Sequence, residues 1–174
     1  MNLAKAVRDP WVRAQLTLFV VVGALGPLLP RLIRPGALGF ALARTDPWPA
    51  RVFGVVLWVA GAALAVWAGR TMGAALTAEP EPVPDATLVE DGPYRLVRHP
   101  IYAGAVLAFI GWTEAWSNWM LALMAGVVLS VFFEAKARVE ERWLRARFPA
   151  YERYAARVRW RVAWADRRPP RGLP

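Results

Sequence analysis

The chain has 174 residues, room for one domain, and is 57% hydrophobic with 10 Trp, yet it carries a net charge of +9. This combination points to segregation, with apolar stretches in lipid and Arg in loops and tail, and leaves little room for the soluble basic scaffold of a nucleic-acid binder. With no Cys and the single His99, disulfides, thiolate metal sites, Cys nucleophiles and multi-His metal centres are excluded, and no metal site is expected.

The first segment, about Val12 to Ile33, is uncharged from Ala14 to Pro30 and bracketed by Arg13 and Arg31. That is close to the roughly 20 residues a bilayer crossing needs. It lacks a small-residue cleavage pattern, so it is expected to be retained rather than removed as a signal peptide. Residues 34–50 form a connector broken by Pro35, Pro47 and Pro49, with Trp48 and Arg51 as interfacial anchors. The second segment, about Val52 to Ala68, places Gly54, Gly61 and Ala65 at helical spacing, which permits close helix packing.

An acidic, Pro-rich stretch from Glu79 to Gly92 cannot lie in lipid, and its length hints at function. Two shorter apolar segments follow, about Ile101 to Trp116 and about Trp119 to Phe133, broken only by Ser117 and Asn118. They read as a helical hairpin. The sequence from Glu134 keeps strong helix formers with no Gly or Pro until Pro149, so the fourth helix is expected to continue into water, and the tail to end in frayed Arg-rich, Pro-containing sequence. The expected fold is all-α: an integral membrane helix bundle with about four spans, the last two as a hairpin, plus a cytosolic helical extension. Its parts are two amino-terminal spans (1–69), a cytosolic loop (70–100), the hairpin (101–133), and the cytosolic helix and basic tail (134–174). The segment after Phe133 holds 12 of the 22 Lys and Arg, which places it in the cytosol, although Arg31, Arg34, Arg44 and Arg51 then lie outside.

The densest polar cluster is GPYRLVRHPIYAG, Gly92 to Gly104. Pro100 suits the first position of a helix, which sets His99 at the cap, where N–H groups and the dipole favour an anion. Arg95 and Arg98 add positive charge. The bland alternative makes Arg98 and His99 interfacial anchors and Tyr94 and Tyr102 part of an aromatic belt. A second cluster, Glu134, Lys136, Arg138, Glu140 and Glu141, has the spacing of a solvated, self-paired helix face. The hairpin turn nevertheless brings it to the same membrane face as His99. Together the two clusters offer acceptors for ribose hydroxyls, a cationic end for a carboxylate, and rings for an adenine or a sulfonium. S-adenosylmethionine and a nicotinamide dinucleotide make nearly the same demands. No GxGxxG is present to support a Rossmann-type site.

GPYRLVRHPIYAG followed by RVEERWLRARFPAYERYAARV resembles the isoprenylcysteine carboxyl methyltransferase family and, more broadly, the membrane methyltransferases that include the phospholipid N-methyltransferases. The resemblance covers about Glu90 to Val158. It implies an S-adenosylmethionine-dependent methyltransferase with a cytosol-facing site made by the last hairpin and tail. By this resemblance Tyr94, His99, Pro100, Tyr102, Gly104, Glu141 and Tyr154 contact the cofactor, Tyr151 helps cover it, and Arg98 and Glu140 position the acceptor. The acceptor is a lipid-like or prenylated small molecule, O- or N-methylated. Val158 is followed by RWRVAWADRRPP rather than the V-P…P of isoprenylcysteine-methylating members, which leaves the acceptor open. Small size and Arg- and Ala-rich composition point to the bacterial inner membrane. The competing readings are an NADPH-dependent reductase of the sterol-reductase type and a non-catalytic membrane protein whose basic tail binds anionic lipid.

Overall fold

The computed structural model describes residues 8–32, 47–73, 76 and 87–165. Parts of the connector, of the acidic loop (including Glu79, Glu81 and Asp85) and of the tail, together with Arg34 and Arg44, lie outside the described residues. The described residues form α1 (Pro10–Leu32), α2 (Trp48–Met72), a 3-10 helix (Gly92–Arg95), α3 (Pro100–Trp116), α4 (Trp119–Arg147) and α5 (Tyr151–Arg157), with no β-strand among them.

Local chemistry explains the boundaries. Asp9 caps α1, its Oδ1 accepting from the N–H groups of Trp11 at 2.8 Å and Val12 at 3.0 Å. Asn118 caps α4 in the same way, accepting from the Leu121 N–H at 3.0 Å. Pro100 opens α3. Pro49 falls in the first turn of α2 rather than ending a connector at residue 50, because proline in a first turn forfeits no intrahelical hydrogen bond. The fourth helix runs unbroken to Arg147, as the absence of Gly and Pro predicts. α2 and α4 are long and apolar enough to cross a membrane.

Backbone contact joins α2 to α3. A methyl group added at Gly104 would sit 2.6 Å from the Gly61 carbonyl oxygen, and one added at Gly54 would sit 2.6 Å from the Ala115 nitrogen. Gly111 meets Trp58 and Gly54 as closely. Small residues let two helices approach this near and gain dispersion contact without long side chains. α4 packs on α3 through Gly126 against Ile110 and Phe133 against Tyr102. α1 lies on α3, with Phe19 stacked on Phe109 at 4.7 Å and Trp112 Nε1 donating to the Gly23 carbonyl at 3.0 Å. The opposite faces of α2 and α4 expose Val52, Phe53, Val56, Val59, Leu123, Val127 and Val131. So continuous an apolar surface marks contact with lipid or another apolar partner.

The Arg-rich, Pro-containing end of the tail, expected to fray, lies outside the described residues. Residues 158–165 ahead of it are anchored at two points. Val158 and Val162 are buried, Val162 in the cluster of Val22, Val106, Leu129 and Phe133. The Arg98 and His99 N–H groups donate to the Trp160 and Arg161 carbonyls at 2.8 and 2.9 Å. The apolar Val158 and Val162 inside an Arg-rich run supply the driving force that composition alone hides.

The glycine contact yields a test. Gly54→Val forces backbones apart and is expected to cost about 1–3 kcal/mol, read as a lowered melting temperature in detergent. Gly23→Ala, whose new methyl would meet Phe109 at an ordinary 3.7 Å, is expected to change stability little.

Candidate active site

The cytosol-assigned clusters of the sequence do converge. The 3-10 helix begins at Gly92, whose φ of 57° favours glycine and where an added methyl would sit 3.0 Å from Thr71 Oγ1. Tyr94 anchors the loop to α2, its hydroxyl 3.4 Å from the Ala68 carbonyl, and its own carbonyl accepts from the Tyr154 hydroxyl at 2.8 Å. Tyr94 and Tyr154 thus brace the site from α2 to α5. Pro100 is fully buried at the start of α3. Gly104 faces Gly61 and Ala65 of α2, so its missing side chain serves the helix contact.

The centre of the site is a pair of adjacent carboxylates with different surroundings. Glu141 is 0% exposed. Arg161 Nε stands 2.9 Å from its carboxylate, Arg98 Nε 3.2 Å, Arg145 3.2 Å and His99 Nε2 3.6 Å. Glu140 keeps a side chain 15% exposed, accepts from the Tyr102 hydroxyl, and has His99 Nδ1 at 3.3 Å. Glu134 binds Arg161 and, at 3.4 Å, Arg138. The i, i+4 pairs Glu134–Arg138 and Glu141–Arg145 that suggest a solvated helix face are present, but their carboxylates are buried and serve the cluster as well. Glu140 and Glu141 lie near the two ring nitrogens of His99, beside the start of α3. Rings stack beside them: His99 on Tyr102 at 5.5 Å and Tyr102 on Phe133 at 4.6 Å.

His99 titrates with this cluster. Burial disfavours its charged form, but the hydrogen bond to Glu140 and the charges of Glu140 and Glu141 outweigh burial and raise its pKa. Carboxylates near both ring nitrogens suit an imidazolium. Burial, reinforced by the Glu141 charge, pushes the Tyr151 hydroxyl well above its ordinary value and keeps it neutral.

Arg161 is the site residue missed by motif reading. Buried Glu134 and Glu141 lie two turns apart on one face and call for a cation from another element. That charge requirement is the signal, but nothing in the tail marks which of its arginines answers it.

Two measurements follow. His99 has a folded pKa above its unfolded value of 6.5. Its stabilisation is therefore fully present below that value and is lost as pH rises through the folded pKa. Between about pH 5.5 and about pH 9, the melting-temperature advantage of wild type over His99→Gln is expected to be largest at the acid end and to shrink upward. A pH-independent gap contradicts the assignment. Arg161→Met removes one cation shared by two buried carboxylates, which keep Arg98, Arg145 and Arg138, and is expected to cost about 1–3 kcal/mol, against little for the exposed Arg159→Met.

Comparison with known proteins agrees with this geometry. Over 72 residues the chain is 32% identical to the cobalt-zinc-cadmium resistance protein CzcN of Cupriavidus metallidurans, covering 41% of the chain and 33% of that protein. Over 75 residues it is 36% identical to the protein-S-isoprenylcysteine O-methyltransferase of Schizosaccharomyces pombe, covering 42% of the chain and 32% of that protein. The matches thus span about a third of each relative's length. A family model described as phospholipid methyltransferase matches residues 49–150, more than half of the chain, and takes in both the Arg98–Tyr102 element and the Glu140–Glu141 pair. The chain therefore belongs to the phospholipid methyltransferase family.

Proposed function

We propose that the chain transfers a methyl group from S-adenosylmethionine to a lipid-like or membrane-associated acceptor at the cytosolic face of a bacterial inner membrane. In this reading α1 to α4 are four spans, α3 and α4 form a hairpin, and the amino terminus and the end of α4 face the cytosol with the Arg-rich tail. The carrying observation is the convergence of the Tyr102 hydroxyl and His99 Nδ1 on the partly exposed Glu140, beside the sealed Glu141. The lipid-linked names of the matched family and of the yeast relative favour an acceptor that reaches this site from the bilayer.

The residues fit the cofactor. Glu134 Oε2 and His99 Nε2 are buried without a hydrogen-bond partner among the described residues, so the cluster retains polar capacity. Carboxylates accept ribose hydroxyls. When bound, S-adenosylmethionine supplies an electrophilic methyl on a sulfonium. The chain's own task is alignment and exclusion of water, which can contribute several kcal/mol. His99, Tyr102 and Glu141 hold the cofactor end, with Tyr94, Pro100, Gly104, Tyr151 and Tyr154 framing it. Glu140 faces the acceptor, taking its proton where that acceptor is an amine or thiol. A carboxylate acceptor needs no base and is oriented by Arg98, whose guanidinium Glu141 fixes at 3.2 Å.

Titration of the purified chain with S-adenosylhomocysteine, S-adenosylmethionine and NADPH tests this. Saturable S-adenosylhomocysteine binding is expected, weakened at least about tenfold by His99→Ala or Glu140→Ala in protein that still unfolds cooperatively. Binding of NADPH alone would instead favour a reductase.

A further inference from the structure

α1 reaches the site through a chain of contacts that neither the family match nor the motifs contain. Lys136 of α4 is 1% exposed, and its Nζ donates to Gln15 Oε1 of α1 at 2.6 Å. The same Nζ stands 5.2 Å from the centre of the Tyr102 ring. Tyr102 in turn donates to Glu140 and is stacked between His99 and Phe133. α1 is itself fixed against these rings, with Phe19 6.0 Å from Phe133 and Phe132 5.9 Å from Trp11.

A buried ammonium needs acceptors around it. Gln15 supplies one without a charge. Its oxygen orients the ammonium, whose positive charge acts on the Tyr102 ring and on Glu140. Removing the amide oxygen leaves Lys136 with one acceptor fewer and draws its head toward the Tyr102–Glu140 hydrogen bond.

We propose that Gln15 is a positioning residue for the cofactor site: through Lys136 it holds Tyr102 against Glu140, so α1 completes a site whose other parts lie within residues 49–165. The inference rests on the methyltransferase reading above. Gln15 lies outside the family-matched residues 49–150.

The test is the S-adenosylhomocysteine affinity of the full chain in detergent, by calorimetry, for wild type, Gln15→Leu, Gln15→Glu, Tyr102→Phe and Gln15→Leu/Tyr102→Phe. Gln15→Leu is expected to weaken binding about fivefold, and to add nothing further in the Tyr102→Phe background, as coupled residues do. Gln15→Glu, which keeps an acceptor for Lys136, is expected to restore most of the affinity. A role confined to holding the bundle together would move the melting temperature and add its loss in full to that of Tyr102→Phe. If Gln15→Leu does not accumulate as folded protein, Lys136→Gln carries the same expectation against Tyr102→Phe. Wild-type binding with Gln15→Leu unchanged, or with fully additive losses, overturns this inference alone. A wild-type chain silent toward S-adenosylhomocysteine overturns the methyltransferase reading and this inference with it.

Discussion

The structure depends on one buried carboxylate. Glu141 is fully enclosed and compensated by Arg98 from the loop before α3, Arg161 from the tail, and Arg145 on its own helix. An unpaired carboxylate in such surroundings would cost several kcal/mol. The three segments therefore have to meet at one point. That requirement orders an Arg-rich tail, draws its Trp160 and Arg161 carbonyls onto the Arg98 and His99 N–H groups, and fixes the start of α3. The same bonds account for backbone donors at a helix amino terminus that are otherwise orphaned.

A rigid contact elsewhere makes this meeting point useful. Glycines 54, 61, 104 and 111 bring the α2 and α3 backbones together, so the carbonyl of Ala68 on α2 can receive the Tyr94 hydroxyl and hold the loop that carries Arg98 and His99. α4 then needs only to present its inner face to α3 for Tyr102, Phe133 and Glu140 to come into register. Apolar residues on the outer faces of α2 and α4 lie outside this framework. Packing and outer contact are thus divided between opposite faces of the same helices.

Much of this was legible in the chain. Uncharged runs located the long helices to within a few residues, because a helix surrounded by apolar medium tolerates few charges. Ser117–Asn118 marked the break between α3 and α4, and the small residues of α2 marked its contact face. The RHPxY element and the paired glutamates marked the two halves of the cluster. Arg161 and Gln15 were not legible. Each acts through a long-range contact whose partner is fixed only by folding, and one arginine among many, or one glutamine near a helix start, carries no local signal. The anchoring of residues 158–162 was not legible for a related reason: Val158 and Val162 sit in an Arg-rich run whose composition resembles a solvated segment.

The adjacent glutamates are not redundant, and helical geometry says why. Successive residues on an α-helix point about 100° apart, so Glu140 and Glu141 cannot share one environment. Glu141 turns toward the arginines and is sealed. Glu140 turns toward Tyr102 and His99 and retains contact with solvent. His99 lies between them, with one nitrogen near each carboxylate. A proton on His99 therefore reports on both, and a change in the charge of Glu140 is felt at Glu141 through the imidazole. The sealed carboxylate sets the geometry while the other keeps part of its surface open, so the cluster is rigid at Glu141 and accessible at Glu140.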